Sequence, residues 1–497
     1  MSESGGTAGN AVRVLIVGTG FAGIAMAIEL LRRGIDDFAL IERGDDVGGT
    51  WRDNTYPGAA CDVPSALYSF SFAPNPNWTR TFSPQPEIWS YLQRVARDHG
   101  VYEHCLFGVE LLHSQWDPAT QRWTSTTSVG DFSSQFLVSA TGALSDPNDL
   151  EIQGLADFEG HTFHSARWDH DFDLAGKTVA VIGTGASAVQ FVPQIAPLVD
   201  RLYVHQRTAA WVVPRNDHEL SRIRRGLNRY LPWTAKLTRA AIYLAREGYV
   251  VFFAKYPALA APARRVSVRH LESQVADPVL REKLRPHFAF GCKRVLISSD
   301  FYPSLQRENV ELVTEPVMSV GPRSITTADG VERPIDAIIF ATGFHVTDPP
   351  IGRLIHDEND ISLAKHWQAG MTALRGTAVP GFPNLFLIVG PNTGLGHTSM
   401  VYMIESQAAY IGNAISAVAK RSIGALEPTV EATTSYNAKV QKKLGPSVWN
   451  SGGCHSWYLD ARGYNSTLWP DFTFLFRRGT RRVDLSEYRT EAPVSSS

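Results

Sequence analysis

Cysteine is scarce in this chain: Cys61, Cys105, Cys292 and Cys454 are scattered over 497 residues. None forms a CxxC pair or has metal-ligand spacing, so vicinal-dithiol chemistry and a cysteine-built metal centre are excluded, and a reduced, cytoplasmic setting is expected. Long apolar runs are missing too. The most apolar stretch, Ala240 to Pro262, is interrupted by Arg246, Glu247 and Lys255 and is too broken to span a membrane. It reads as a helix packed over the core, with contact to a membrane surface as the other reading. No long basic run occurs and the formal net charge is -2, so nucleic-acid binding is not expected. Met1 to Asn10 is small and polar, without the basic-then-apolar order of a signal peptide.

What is present is glycine in two informative places. Val12 to Val17 is a short β-branched run, followed at once by Gly18-Thr19-Gly20-Phe21-Ala22-Gly23. Ile24 to Leu31 then reads as a helix, and Ala39 to Ile41 as a second strand closed by Glu42. Strand, tight turn, helix, strand and acid make a dinucleotide-binding fingerprint. Gly18 permits the turn, Gly20 lets backbone approach a pyrophosphate, and Gly23 lets helix pack on strand. Glu42 is placed to accept hydrogen bonds from a ribose.

A second such turn lies further on. Thr178 to Ile182 reads as a strand, Gly183-Thr184-Gly185-Ala186-Ser187-Ala188 opens a helix that ends by about Ile195, and Leu202 to His205 is the next strand. No acid closes it; Gln206-Arg207-Thr208 stands there instead. Arginine at this point suits a ribose 2′-phosphate, so Arg207 argues for NADPH, with Lys293 as a second phosphate contact. Two strands end alike, in Ala140-Thr141-Gly142 and Phe340-Ala341-Thr342-Gly343, as in a domain that the chain leaves and re-enters. Pro214 to Ala289 reads as helical, broken at Pro232, Pro257 and Pro262. The expected fold is α/β, with two Rossmann-like dinucleotide domains and a helical insertion. Two dinucleotide folds point to a flavoprotein reduced by a nicotinamide cofactor, and the missing CxxC removes the disulfide reductases.

Between the turns lies Phe158-Glu159-Gly160-His161-Thr162-Phe163-His164-Ser165-Ala166-Arg167-Trp168-Asp169. Phe158, Gly160, His164, Trp168 and Asp169 match the FxGxxxHxxxW pattern, followed by Pro or Asp, of the type I Baeyer–Villiger monooxygenases. From Val12 to about Arg477 the chain resembles this group of class B flavin-dependent monooxygenases. The sister group that oxygenates nitrogen and sulfur, the alternative reading, usually carries Tyr at the position of Trp168.

The resemblance implies FAD at the first turn, in a domain of residues 1–145 and 341–497. NADPH would occupy a domain of residues 146–213 and 290–340, with 214–289 inserted. It implies flavin contacts from Phe21, Ala22, Arg43, Gly49, Thr50, Trp51 and Tyr68, with Asp62 a buried acid near the ring. Thr141, Gly142, Thr342 and Gly343 fall at the domain crossings. Asn392, in the turn Gly390 to His397, resembles the family's second flavin contact. Gly183, Gly185, Ala186, Ser187, Arg207, Thr208 and Lys293 would hold NADPH. Arg294, held by Asp62, would stabilise the C4a-peroxyflavin anion and the adduct it forms with a ketone. The partners implied are a small-molecule ketone and O2, the product an ester or lactone, and sulfoxidation a side activity. His164 would couple the domains. Trp457 in the Cys454 to Pro470 pattern reads mainly as packing, and the tail after Arg482 as disordered. The substrate's identity and the oligomeric state are not legible.

Overall fold

The computed structural model describes residues 10–148 and 150–494. The signal-peptide reading of Met1 to Asn10 falls almost wholly outside the described residues, as does the terminal Ser495 to Ser497. The first unit opens with β1 (Asn10–Val17), α1 (Phe21–Arg32) and β2 (Phe38–Glu42), and continues to β3 (Gly130–Ser139). β1 pairs parallel with β2 and β3, Val14 opposite Phe38 and Phe136. All five residues of β2 are buried, the pattern of a parallel strand covered on both faces. Beyond β3 the sheet continues antiparallel through Arg122–Thr127 and Leu111–Asp117.

The second unit is built from β4 (His161–His164), β5 (Thr178–Ile182), α2 (Ala188–Ile195) and β6 (Arg201–His205). Helices α3 (Arg222–Tyr230) and α4 (Pro232–Glu247) follow, then β7 (Val310–Val313) and β8 (Ala337–Phe340). The order β7-β6-β5-β8-β4 is parallel throughout. The chain then returns to the first sheet, where β9 (Leu385–Leu387) pairs with β3, Leu385 opposite Leu137. A long helix, α5 (Met400–Lys420), packs against α1. Its start is set by Ser399, whose hydroxyl accepts from the Val401 N–H at 3.3 Å.

Two expectations need correcting. The tail after Arg482 is ordered as far as Val494: Tyr488–Glu491 pairs antiparallel with Ala425–Pro428, and the buried Tyr488 hydroxyl lies 2.6 Å from that of Tyr410. A strand edge and a shared buried hydroxyl pair outweigh the polar composition that suggested disorder. The cysteines are not all isolated either. Cys292 and Cys454, 162 residues apart, form a disulfide, while Cys61 and Cys105 are free. Sequence spacing carries no signal for a bridge made by two separate loops, and the argument for a reduced compartment loses that pair.

Candidate active site

Both glycine turns open onto one cleft of about 1300 Å³, larger than the roughly 300–1,000 Å³ of a single small-molecule site. The first turn is crowded. A Cβ on Gly23 would stand 1.9 Å from the Gly18 carbonyl oxygen, so only glycine lets α1 close onto β1 here. At the end of β2, Glu42 is 6% exposed and fully engaged. One of its oxygens accepts from the Thr19 amide and hydroxyl, at 3.0 and 2.9 Å; the other accepts from the Gly44 amide at 2.9 Å and meets Arg52 at 3.0 Å. Burial alone would raise its pKa, but Arg52 and these hydrogen bonds outweigh it and hold the carboxyl below its usual value. Arg43 pairs with Asp146 at 2.7 Å, tying β2 to the segment after Thr141 and Gly142. The Trp51 indole N–H donates to the Tyr68 hydroxyl at 3.0 Å, the rings meeting edge-on at 5.6 Å.

The second turn is tight at Gly183 and open at Gly185. Nothing lies within 4 Å of a Cβ built on Gly185. Arg207 lines the cleft and is exposed, and Lys293 lies near enough that, after burial, the charge of Arg207 further lowers its pKa. Two cations held together without a carboxylate against either, among the described residues, are suited to an anion with two or more oxygens. Helix α2 stitches the units together. Its Gln190 side chain accepts from the Tyr56 hydroxyl (3.0 Å) and the Ala60 amide (3.2 Å), and donates to the Ala60 carbonyl (3.0 Å).

The segment between the turns forms β4, the edge of the second sheet. Phe340 of β8 pairs with His164 on one side and with Ile182 on the other, so His164 is level with the second turn and lines the cleft. Its Nδ1 accepts from the Ala166 amide at 3.1 Å. Trp168 lies away from the cleft, with ring contacts to Phe163 at 5.1 Å and Phe191 of α2 at 5.3 Å. Asp169 accepts from the His161 ring at 2.8 Å. Phe158 packs in the core of the second sheet, and a Cβ on Gly160 would meet the Asp336 carbonyl oxygen at 2.4 Å.

Arg294 and Asp62, from different units, meet in the cleft wall. One Asp62 oxygen accepts from the Arg294 Nε at 2.8 Å and from a terminal nitrogen at 2.6 Å. Their side chains are 29% and 28% exposed, and that exposure is to the cleft rather than to the outer surface. Asp62 raises the pKa of Arg294 against the opposing effect of burial. Burial would raise that of Asp62, yet Arg294 holds it below its usual value. Both groups therefore stay charged. The buried Tyr458 hydroxyl lies beside Arg294; burial pushes its pKa up to about 12, and the guanidinium opposes that rise. The Cys292–Cys454 bridge joins the segment carrying Lys293 and Arg294 to the loop carrying His455, Trp457 and Tyr458.

Most of the residues expected at the cofactors line this cleft: Gly18, Gly20, Phe21, Ala22, Glu42, Arg43, Gly49, Thr50, Trp51, Asp62 and Tyr68 on one side, with Thr141, Gly142, Thr342 and Gly343 at the crossings. Gly185, Ala186, Ser187, Arg207, Lys293 and Arg294 line the other side. Gly23 and Gly183 stand behind the wall, a Cβ on Gly183 meeting the Ala341 carbonyl oxygen at 2.5 Å. Thr208 is exposed and outside the wall. Asn392 is corrected as well: it is 1% exposed, its backbone N–H donates to Ser466 at 2.6 Å, and its side-chain amide donates to the Asn465 and Leu468 carbonyls. Its donors are spent on the C-terminal loop. Sequence reasoning missed Arg52, Gln190 and the placement of Tyr458; only Tyr458 carried a signal, as the neighbour of Trp457.

Residues 15–231, which span both turns, match the pyridine nucleotide-disulphide oxidoreductase family. A Baeyer–Villiger monooxygenase of Streptomyces coelicolor is 49% identical over 486 residues, covering 97% of this chain and 93% of its own. Another, from Pseudomonas aeruginosa, is 45% identical over 487 residues, covering 97% and 92%. Among solved structures, a closed form of cyclohexanone monooxygenase superposes with a TM-score of 0.87 at 26% identity, covering 97% of this chain and 100% of that one. An oxidised steroid monooxygenase bound to NADP gives 0.85 at 29%, with the same coverage. With both nucleotide turns, the intervening pattern and these relatives in agreement, the chain belongs to the Baeyer–Villiger monooxygenase family.

Proposed function

We propose that the protein is an NADPH- and O2-dependent flavoprotein that inserts one oxygen atom beside the carbonyl of a ketone, giving an ester or lactone. The Arg294–Asp62 pair, set in a cleft served by both glycine turns, carries this reading. FAD belongs at the crowded first turn and NADPH at the second, with residues 1–145 and 341–497 as the FAD domain, 146–213 and 290–340 as the NADPH domain, and 214–289 as the insertion. The residues fit these groups. Gly18 and Gly23 leave no room for a Cβ against the backbone of the first turn, and Lys293 with Arg207 offers charge without a protein anion among the described residues. When bound, FAD supplies oxygen activation and NADPH the hydride.

The chain's own part is binding, orientation and charge. Gly18 and Gly20 admit the pyrophosphate, and Glu42, already anionic, would share its oxygens between a ribose and the donors that hold it, Thr19, Gly44 and Arg52. Arg207 and Lys293 select the 2′-phosphate. Arg294 stays protonated and fixed by Asp62, facing the place where negative charge develops on oxygen. Such a cation stabilises a transition state without reorganising during the reaction. Asp62 acts as a positioning residue, because both its contacts go to Arg294. His164 is the coupling residue at the wall.

Trp168 favours ketone over heteroatom oxygenation as a family marker, and sulfoxidation is a side activity. The cytoplasmic reading rests on the unpaired Cys61 and Cys105 alone. Among the described residues no helix is long and apolar enough to cross a membrane. The test is aerobic turnover with NADPH against cyclic, linear and aryl ketones and sulfides, using isotopically labelled dioxygen. Label in an ester or lactone is expected; NADPH consumption that yields only hydrogen peroxide with every ketone would remove the reading.

A further inference from the structure

Helix α4 presents apolar side chains on two opposite faces. The inner face is anchored: Ile242 and Tyr243 pack against the core of the first unit. Arg239 donates to the carbonyls of Ala66 and Leu67, at 3.2 and 3.1 Å, and to the Ser69 hydroxyl at 3.0 Å. At the C-terminal end Glu247 accepts from the Thr473 amide (2.8 Å) and hydroxyl (2.7 Å). The helix therefore cannot roll to bury its other face.

That outer face carries Trp233, Leu237 and Leu244, which are 58%, 61% and 68% exposed. Their spacing of four and seven residues places them on one stripe. A surface helix whose core face is already buried normally turns polar residues outward. The neighbouring α3 extends the apolar surface with Ile223, Leu227 and Tyr230, 76%, 41% and 78% exposed.

Charge distinguishes among partners. From Leu220 to Arg246 the sequence holds seven Lys and Arg residues and no Asp or Glu, and four of the seven, Arg222, Arg224, Arg229 and Lys236, are exposed. The acids that flank this stretch are already partnered, Glu219 with Arg80 at 3.8 Å and Glu247 with Thr473. A second copy of the chain docking the same face would set cations against cations, which disfavours self-association. A lipid surface with anionic headgroups satisfies both features: apolar side chains enter the acyl boundary, aromatic rings sit at headgroup level, and Lys and Arg meet phosphates.

We propose that the outer face of α3 and α4 docks the protein on an anionic lipid bilayer, lying on the membrane without crossing it. The inference is independent of the reaction, and its test reads binding rather than turnover. The holoenzyme is sedimented with vesicles of phosphatidylcholine alone or mixed with phosphatidylglycerol, at low and high salt. Binding to the mixed vesicles is expected to exceed binding to neutral ones by about tenfold at low salt, and to weaken as salt rises. The variant Trp233→Glu/Leu237→Glu/Leu244→Glu should lose at least about tenfold of this binding, and Arg222→Glu/Arg229→Glu a comparable part. Unchanged flavin absorbance and circular dichroism show that the variants fold; if the triple variant does not, Trp233→Ser alone serves, since its side chain is exposed. Binding indifferent to lipid charge or to the apolar substitutions overturns the proposal. So does a wild-type dimer, seen by light scattering, that dissociates in the triple variant.

Discussion

Around the first glycine turn a methyl group on Gly23 would collide with the Gly18 carbonyl oxygen, and Glu42 is locked by Thr19, Gly44 and Arg52. Around the second turn Gly185 faces open space, and the charged groups at hand, Arg207 and Lys293, await an anion. Both share one topology, a parallel strand running into a helix, yet one is a preorganised cradle and the other a dock. A cradle whose polar groups are already positioned suits a resident ligand. A dock with unpaired cations and free space suits one that arrives, reacts and leaves.

The most severe way to break this comparison is to add a methyl group where the first turn is tightest and where the second is most open. Gly23→Ala should leave the protein nearly free of FAD and destabilised by about 3 kcal/mol, as read by flavin absorbance and thermal melting. Gly185→Ala should retain FAD and change the KM for NADPH by no more than about threefold. Equal damage at the two sites would erase the contrast.

Arg294 stands between the turns and should affect only the steps after flavin reduction. Arg294→Ala is expected to lower ester formation by about 10²–10³-fold, while stopped-flow reduction of the flavin by NADPH persists. Because this change strands Asp62 in the cleft, the double variant with Asp62→Ala should melt higher than Arg294→Ala alone. A lower melting point would mean that the pair does not act as a unit.

A smaller effect is expected at the dock. Arg207→Ala should raise the KM for NADPH by about tenfold or more and leave that for NADH nearly unchanged; parallel losses would remove the phosphate assignment. The mildest test is acid. The folded pKa values of Glu42 and Asp62 are depressed, so their stabilisation is complete above their unfolded values of about 4.3 and 3.9 and is lost as pH falls further through the folded values. Thermal melts from pH 7 to pH 3 should be flat until about pH 4.5, then decline. The Asp62→Asn variant should decline less.

Both strand-turn-helix units were legible because hydrophobic period and glycine punctuation are local. β5 spans the very residues the pattern indicates, and β2 and β6 extend it by one residue or one at each end. The Arg294–Asp62 contact was accessible only through family resemblance, since 232 residues separate the partners. The grip of Arg52 on Glu42, the reach of Gln190 into the first unit and the Cys292–Cys454 bridge arise where separate loops meet, and no periodicity encodes such meetings. Asn392 misled for a related reason. A polar residue in a glycine turn after a strand looks like a ligand contact, but a returning C-terminal loop had already taken its donors. The spacing of Trp233, Leu237 and Leu244 was plain in the sequence; their outward direction was not.

The bridge between Cys292 and Cys454 spans 162 positions of chain and encloses the exposed turn Glu358 to Ile361. A protease that cuts this turn would not release a fragment. The nicked enzyme should migrate as one band on a non-reducing gel and as two after reduction. Until then Arg294 and Tyr458, on opposite sides of the cut, would remain fastened together.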